Sequence, residues 1–372
     1  MTICFITGTR AEYGILAPII REISLQYPEI KIRIVATNMH LSPEYGLTVK
    51  EIEADGFAVD AKVEMLISSD TPTGTVKSMG VEAIGLADVI ERLQPDRIVI
   101  LGDRYEMLTA ASAALIFGIP IVHLHGGETT LGAYDNAIRH AITQLSSIHL
   151  TSTEEYRNRV ISMGKDPKTV HCIGSPAVDS ISRFTPMSRE ELKKSTGFSA
   201  DGRYIVVTFH PVTLQPGDEE CQTQALLDAL DTLPKDVKIL FTLPNSDTGG
   251  LTVRHLVEKW AALRPDKASA VCSLGAKRYF SAVAHSHGVV GNSSSGIIEA
   301  PSLHVPTLNI GDRQKGRARA ESVIDVEAIF PAIKEGLHRL LDHKTQQLAR
   351  TVVNPYSMPG TVARAAELIV TS

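Results

Sequence analysis

Sulfur and aromatic side chains are scarce in this chain: four cysteines, one tryptophan and an aromatic content of 5% in 372 residues. Cys4, Cys172, Cys221 and Cys272 lie far apart, with no C-x-x-C and no zinc-ligand spacing. That argues against a disulfide framework and fits reduced thiols. A basic excess is missing too, since 37 Lys+Arg stand against 42 Asp+Glu for a net charge of −5. No nucleic-acid partner is therefore expected. No apolar run approaches the roughly 20 residues of a membrane-spanning helix. The opening MTICFITGTRAEYG enters a strand pattern directly, without the basic region and apolar core of a signal peptide. A cytoplasmic protein with no membrane partner is the expectation. Two nucleotide signatures are also lacking. There is no G-x-x-x-x-G-K-[ST], and the glycines of Gly8–Gly14 do not fit G-x-G-x-x-G. The second strand ends in Thr37-Asn38, without the acid that would hold a ribose. NAD is disfavoured, and no cofactor is expected.

What the sequence does contain is a regular alternation of apolar runs and amphipathic stretches. Strands are expected over Ile3–Thr7, Lys31–Ala36, Arg97–Leu101, Ile119–Leu124 and Ile148–Thr151. Helices are expected near Ala11–Tyr27, Pro43–Ala54, Val76–Leu93, Glu106–Ile116, Asn136–Leu145 and Thr153–Met163. The strands are apolar throughout rather than alternating, as when helices cover both faces of a parallel sheet. After Gly174-Ser175-Pro176 comes a helix over Arg189–Thr196. The rhythm then restarts at Tyr204–Thr208, Val237–Phe241, Ala270–Cys272, Gly288–Val290 and Pro306–Ile310. The pattern predicts two doubly wound α/β domains, 1–175 and 176–359, with a last helix from residue 360 that crosses back to the first.

Ligands of open parallel sheets sit beyond the carboxyl ends of the strands, so the residues there carry the functional argument. Gly288–Pro301 reads as strand, tight Gly-Asn-Ser-Ser-Ser turn and helix start. Bare backbone N–H groups and the hydroxyls of Ser293, Ser294 and Ser295 suit a phosphate, although serines in such turns are also ordinary helix caps. Glu299, a turn further on, is either an acceptor for sugar hydroxyls or a favourable charge near a helix start. Arg10 follows the first strand and could pair with a phosphate. Asp103 and Arg104 follow the Arg97–Leu101 strand, and Asp103 could equally be a helix N-cap.

The densest stretch is His123-Leu124-His125-Gly126-Gly127-Glu128, continuing to Asp135, Arg139 and His140. On a strand His123 and His125 share a face, with Glu128 across a flexible Gly-Gly. That set permits a zinc site or, alternatively, proton chemistry by crowded titratable groups at strand ends. Asp135 could also be a cap paired with Arg139 or His140. In the second half Pro211 forces His210 into an extended conformation at a strand end. Asn245 follows the strand ending at Phe241. The run Asp312–Arg317 brings Arg313, Lys315 and Arg317 to another strand end, a clamp for a diphosphate or a solvated basic loop.

Nine ordered motifs span essentially the whole chain: TGTRAEYG, GDRYE, HLHGGETTLGAYDNAIRHAIT, LTSTEEY, GSPAVD, FHPVT, PNSDTG, GNSSSGIIE and NIGDRQKGR. On them the chain resembles the hydrolysing UDP-N-acetylglucosamine 2-epimerases of bacterial sialic-acid pathways, relatives of the epimerase half of the animal bifunctional enzyme. The resemblance implies an enzyme of the α/β glycosyltransferase-B fold, two Rossmann-like domains facing a cleft. It implies anti elimination of UDP to a 2-acetamidoglucal, then water addition giving N-acetylmannosamine, with no NAD or metal. Arg10, Gly14, Arg104, His210, Asn245, Ser293, Ser294, Glu299 and Arg313 fall on UDP-binding positions, and Leu274 on one whose backbone meets the uracil. Asp103 and Asp135 fall on acidic positions implicated in catalysis. Some relatives carry HIEGGE where this chain has His125-Gly126-Gly127-Glu128, so the general base lies among His125, Glu128 and Asp135, with His210 a further proton-transfer residue. UDP-N,N′-diacetylbacillosamine, feeding legionaminic-type acids, is the alternative substrate. A glycosyltransferase of the same fold or a non-catalytic sensor are more distant readings. The partner is thus a small-molecule UDP-sugar, and the family implies a homo-oligomer, dimer or tetramer.

Overall fold

The computed structural model describes residues 1–67, 71–215 and 217–372. Two compact units emerge. One comprises residues 1–128, 134–180 and 356–372; the other comprises 129–133 and 181–355. The first is built on strands β1 (Thr2–Thr7), β2 (Lys31–Thr37), β3 (Ala61–Val63), β4 (Arg97–Leu101), β5 (Ile121–Leu124), β6 (Ile148–Thr151) and β7 (Val170–Cys172). They form a seven-stranded sheet in the order β3-β2-β1-β4-β5-β6-β7, parallel throughout. The second unit holds β8 (Arg203–Thr208), β9 (Val237–Thr242), β10 (Ala268–Val271), β11 (Val289–Gly291), β12 (Thr307–Ile310) and β13 (Val323–Val326). Their order is β10-β9-β8-β11-β12-β13, again all parallel.

The continuous apolar strands are buried on both faces, as their composition dictates. Ile3 and Phe5 of β1 face one core, with Leu16, Ile20 and Ile23 of the helix Arg10–Gln26. Cys4 and Ile6 face the other, with Met107, Ala110 and Ala114. That period-two split lets one strand anchor two helical layers. The helix Arg10–Gln26 starts where it does because Thr9 and Glu12 form a capping box. Truncating Leu16 to alanine at the centre of this core costs about 2–5 kcal/mol. The terminal helix Thr361–Thr371 buries Val362, Ala365 and Ile369 in the same core. The Asp179 carboxylate accepts its leading N–H groups at Gly360 and Val362.

Differences from expectation are local. The helix expected over 43–54 is a single 3-10 turn, Pro43–Tyr45, followed by a helix confined to Val49–Ala54, and a further 3-10 turn, Asn38–Leu41, precedes both. Gly46 and Leu47 take positive φ there, at 92° and 47°, which no right-handed helix can contain. The edge strands β3, β7 and β13 are three or four residues long, too short for a periodicity to register. Pro176 opens a helix, Pro176–Ser182, at the expected break, as proline at a first helical turn commonly does. Among the described residues no helix is long and apolar enough to cross a membrane.

Candidate active site

Strand order reverses between β1 and β4 in the first sheet and between β8 and β11 in the second. These switch points are where parallel sheets open a crevice at their carboxyl edge. In the first unit Gly8–Arg10 follow β1 and Gly102–Arg104 follow β4. Arg10 is the first residue of its helix, and Gly14 lies one turn further along it. Glu12 accepts the N–H groups of Gly8 and Thr9 through Oε2, at 2.8 and 3.1 Å. Burial, with the neighbouring Glu106 charge, pushes the Glu12 carboxyl up to about 8. Glu106 is wholly buried and pairs with Arg104 Nε at 2.6 Å, and the Arg104 guanidinium lies over the Tyr105 ring. Arg104, not Asp103, is the N-cap of the helix Tyr105–Ile116. No side-chain cap hydrogen bond is formed at that helix start, and the Asp103 carboxylate is instead ion-paired with Arg139.

The stretch after β5 differs most from its sequence reading. β5 ends at Leu124, and His125 turns out of the sheet with φ +62°, so His123 and His125 do not share a strand face. His123 Nε2–H donates to the carbonyl of Gly102 at 2.8 Å, and its Nδ1 accepts from Thr143 at 3.2 Å. Burial lowers its pKa to about 4. A neutral imidazole bridging two strand ends is a structural brace. Nor is the Gly-Gly flexible. A Cβ on Gly127, whose φ is +78°, would stand 2.5 Å from the carbonyl oxygen of Tyr156, and one on Gly126 would crowd His123 and Thr143. Only glycine admits that close approach.

Those glycines deliver Glu128 to a buried position where Oε1 lies 2.8 Å from His125 Nδ1 and accepts from Ser152 Oγ at 2.7 Å. Arg139, 1% exposed, donates to the Glu128 carbonyl at 2.8 Å. Arg159 donates likewise to the Gly127 carbonyl. Asp135 is half-buried and is the first residue of the helix Asp135–Leu145, whose N-cap is Tyr134. The first unit therefore gathers Asp103, Arg139, Glu128 and His125 into one connected network, with Asp135 opening the helix that carries Arg139.

In the second unit His210 follows β8. The side chain of Asn292 brackets it, accepting from the His210 N–H at 2.7 Å and donating to its carbonyl at 2.8 Å. Gly291 makes this possible: a Cβ there would stand 1.9 Å from the Thr208 carbonyl oxygen. Asn245, after β9, places its N–H 3.5 Å from His210 Nδ1. Leu274 is buried at the N-cap of the helix Gly275–Ala284. Ser293 caps the five-residue helix Ser294–Ile298, accepting from Ser295 N–H. Glu299 is that helix's C-cap and at the same time the N-cap of the 3-10 turn Ala300–Leu303, so its charge also stands at a helix start. After β12, Arg313 donates to the Asn292 carbonyl at 3.3 Å and lies 3.6 Å from the Asp247 carboxylate. Gln314 donates to the same carbonyl at 2.9 Å. Arg313 and Arg317 are buried, whereas Lys315 is exposed and paired with Asp312. The basic run is therefore not a solvated loop: two of its three cations turn inward. His210, Asn245, Arg313 and the Ser293 turn thus cluster around Asn292.

Four contributors were not singled out from sequence: Ser152, Asn292, Gln314 and Asp247. Each lies within one of the nine motifs, Ser152 and Asn292 directly after a strand and Gln314 and Asp247 a few residues further on, and that placement was the available signal. Among the described residues no group of three His, Cys, Asp or Glu could hold a metal ion.

Residues 24–370 match the profile of the UDP-N-acetylglucosamine 2-epimerase family. A GDP/UDP-N,N′-diacetylbacillosamine 2-epimerase (hydrolyzing) of Campylobacter jejuni is 40% identical over 87% of this chain and 84% of its own. A polysialic acid biosynthesis protein of Escherichia coli is 38% identical over 99% and 93%. Among solved structures, the UDP-GlcNAc 2-epimerase of Neisseria meningitidis bound to UDP-GlcNAc superposes with a TM-score of 0.83 at 18% identity, each chain covered fully. That likeness carries the fold, which is of the glycosyltransferase-B type.

Proposed function

We infer the function from one premise: the chain belongs to the UDP-N-acetylglucosamine 2-epimerase family and is a hydrolysing UDP-sugar 2-epimerase. Its substrate is a UDP-sugar bearing an N-acetyl group at C2. A base takes the C2 proton, the C1–O bond breaks with its electron pair leaving on UDP, and C1=C2 forms. Water then adds hydroxyl to C1 and hydrogen to C2, releasing a free mannose-configured sugar. The observation that carries this reading is the network at the end of β5, where His125, Glu128, Asp103 and Arg139 meet. Titratable groups held this way can move a weakly acidic proton beside an amide, each transfer worth roughly a hundred- to ten-thousand-fold. Asp135 and His210 are the further proton-transfer residues. Arg10, Gly14, Arg104, Asn245, Ser293, Ser294 and Arg313 hold the leaving diphosphate and uridine, with Glu299 on the ribose and the Leu274 backbone on the uracil. Cations and N–H donors there offset the charge that develops on UDP.

For the substrate itself the motifs that hold UDP would look the same for either sugar, and the relatives bear both names. Proteins named diacetylbacillosamine 2-epimerases are 40% and 36% identical, whereas a Neisseria meningitidis protein named UDP-N-acetylglucosamine 2-epimerase is 32% identical. UDP-N,N′-diacetylbacillosamine is therefore the first reading. UDP-N-acetylglucosamine is the second, favoured by the 38% identity to the polysialic acid protein. Each sugar nucleotide incubated with enzyme in D₂O and followed by NMR decides between them. The true substrate yields UDP and a free sugar deuterated at C2, and intact nucleotide in both tubes removes the reading. A homo-oligomer, dimer or tetramer, is supported by the exposed Val76, Val81 and Ile84 on the helix Pro72–Leu93 and Ile116 on the next. Analytical ultracentrifugation checks it.

A further inference from the structure

His125 is buried, and its two ring nitrogens have different fates. Nδ1 lies 2.8 Å from Glu128 Oε1. Nε2 is buried with no hydrogen-bond partner among the described residues. A carboxylate can only accept, so Nδ1 carries the proton in the neutral ring and Nε2 keeps its lone pair. Glu128 is held in turn: the Oε1 that faces the imidazole also accepts the Ser152 hydroxyl at 2.7 Å, and all three side chains are buried. The backbone adds to the constraint. The His125 N–H donates to the Leu150 carbonyl at 2.9 Å, and its φ of +62° is a conformation that a side-chain-bearing residue keeps only when its surroundings enforce it.

We propose that Ser152, Glu128 and His125 form an ordered triad in which Ser152 fixes Glu128, Glu128 fixes the Nδ1–H tautomer of His125, and Nε2 is the base that takes the C2 proton. The inference rests on the epimerase reading and divides the base role among the residues that reading left together. Glu128 and Ser152 are positioning residues, because Oε1 already accepts from two donors. When Nε2 takes the proton, the imidazolium forms beside a carboxylate that stabilises it without accepting the proton itself. Set against the HIEGGE of some relatives, the carboxylate of Glu128 is common to both patterns and His125 alone stands in place of the acid.

The test uses the full chain with ¹⁵N-labelled histidine. Long-range ¹⁵N–¹H spectra, with the His125 signals assigned by their loss in His125→Gln, are expected to show protonated Nδ1 and bare Nε2. Ser152→Ala is expected to raise the fraction of the other tautomer. It should also lower kcat roughly ten- to a hundredfold, the loss of one hydrogen bond to a charged acceptor, while KM and calorimetric UDP affinity hold. Ser152→Thr, which keeps the hydroxyl, should recover both readouts. Glu128→Gln should lose about ten-thousand-fold in kcat through the wrong tautomer, as when an orienting carboxylate is removed from a histidine base. A wild-type Nε2–H tautomer, or a Ser152→Ala enzyme with unchanged kcat, overturns the triad. The spectra need no substrate, so failure of the triad is distinct from failure of the epimerase reading, which would appear as wild-type protein inert towards every UDP-sugar.

Discussion

Replacing Arg139 with methionine is the most informative single perturbation of the first unit. Its guanidinium pairs with Asp103 through one nitrogen and donates to the Glu128 carbonyl through another. Methionine keeps the volume and removes both. Breaking a buried pair by deleting one partner costs about 3–5 kcal/mol, because the other charge is left uncompensated. Asp103 keeps 19% of its side chain exposed, so water relieves part of that cost, and about 3 kcal/mol is the appropriate figure. For a unit of roughly 150–250 residues this lowers Tm by about 6–12 °C. The sign of the second step is more discriminating than the size of the first. If the penalty is Asp103's unpaired charge, Asp103→Asn added to Arg139→Met recovers stability, and the double variant melts above the single one. Turnover follows a different course, since both variants lose the orientation of Asp103 and the double regains none of it. Differential scanning fluorimetry and UDP release on the four proteins of the cycle measure both. Additive losses of stability, or an Arg139→Met protein with wild-type Tm, would refute the reasoning.

Arg313→Ala should weaken UDP roughly ten- to a hundredfold, and it also leaves the buried Asp247 carboxylate without its guanidinium; calorimetry with wild-type UDP affinity would count against the phosphate role. Gly291→Ala should fail to fold stably, since the added methyl would overlap the Thr208 carbonyl at φ +129° and force β8 from β11; a soluble variant with a wild-type melt contradicts the close approach. Glu12→Gln tests the buried carboxyl raised from 4.5 to about 8. Between those pH values the folded chain holds a proton that the unfolded chain lacks, so this group's contribution to stability falls as pH rises. Glutamine can keep the cap and has no proton to lose, so its Tm advantage over wild type should be larger at pH 8 than at pH 5; a pH-independent difference would show that Glu12 is ionised throughout.

Both sheets were readable because their central strands are buried on two faces and so are apolar from end to end. β4, β6 and the helix Arg189–Thr196 fall on their expected residues. The edge strands β3, β7 and β13 were not, because strands of three or four residues have few positions to display a period. At the site, residue types could be read but bonding partners could not. Nothing in H-L-H-G-G-E tells that β5 stops at Leu124, and a strand carried one residue further puts His123 and His125 on one face. The structure separates them into a brace and a candidate base. For Asp103 a cap stood open beside a catalytic role, because acids after strands often cap; its ion-pair partner, Arg139, lies 36 positions on, where sequence spacing carries no information.

The loop from His125 to Glu128 shows how such a site can be exact without being rigid by composition. Two glycines would ordinarily loosen four residues. Here a methyl on Gly127 would overlap the Tyr156 carbonyl and one on Gly126 would press on His123 and Thr143, and the carbonyls of Gly127 and Glu128 are each taken by a guanidinium, from Arg159 and Arg139. Arg139 then joins the loop to Asp103 at the end of the neighbouring β4, so a displacement of Glu128 is felt at Asp103 through one side chain. Electrostatic catalysis depends on dipoles already in place before charge develops. An arrangement in which backbone carbonyls, not only side chains, are fixed by arginines, one of them buried, meets that requirement. It also serves the proposed base: Glu128 is held behind the His125 ring, so a fixed negative charge faces the imidazolium that forms when Nε2 takes the proton.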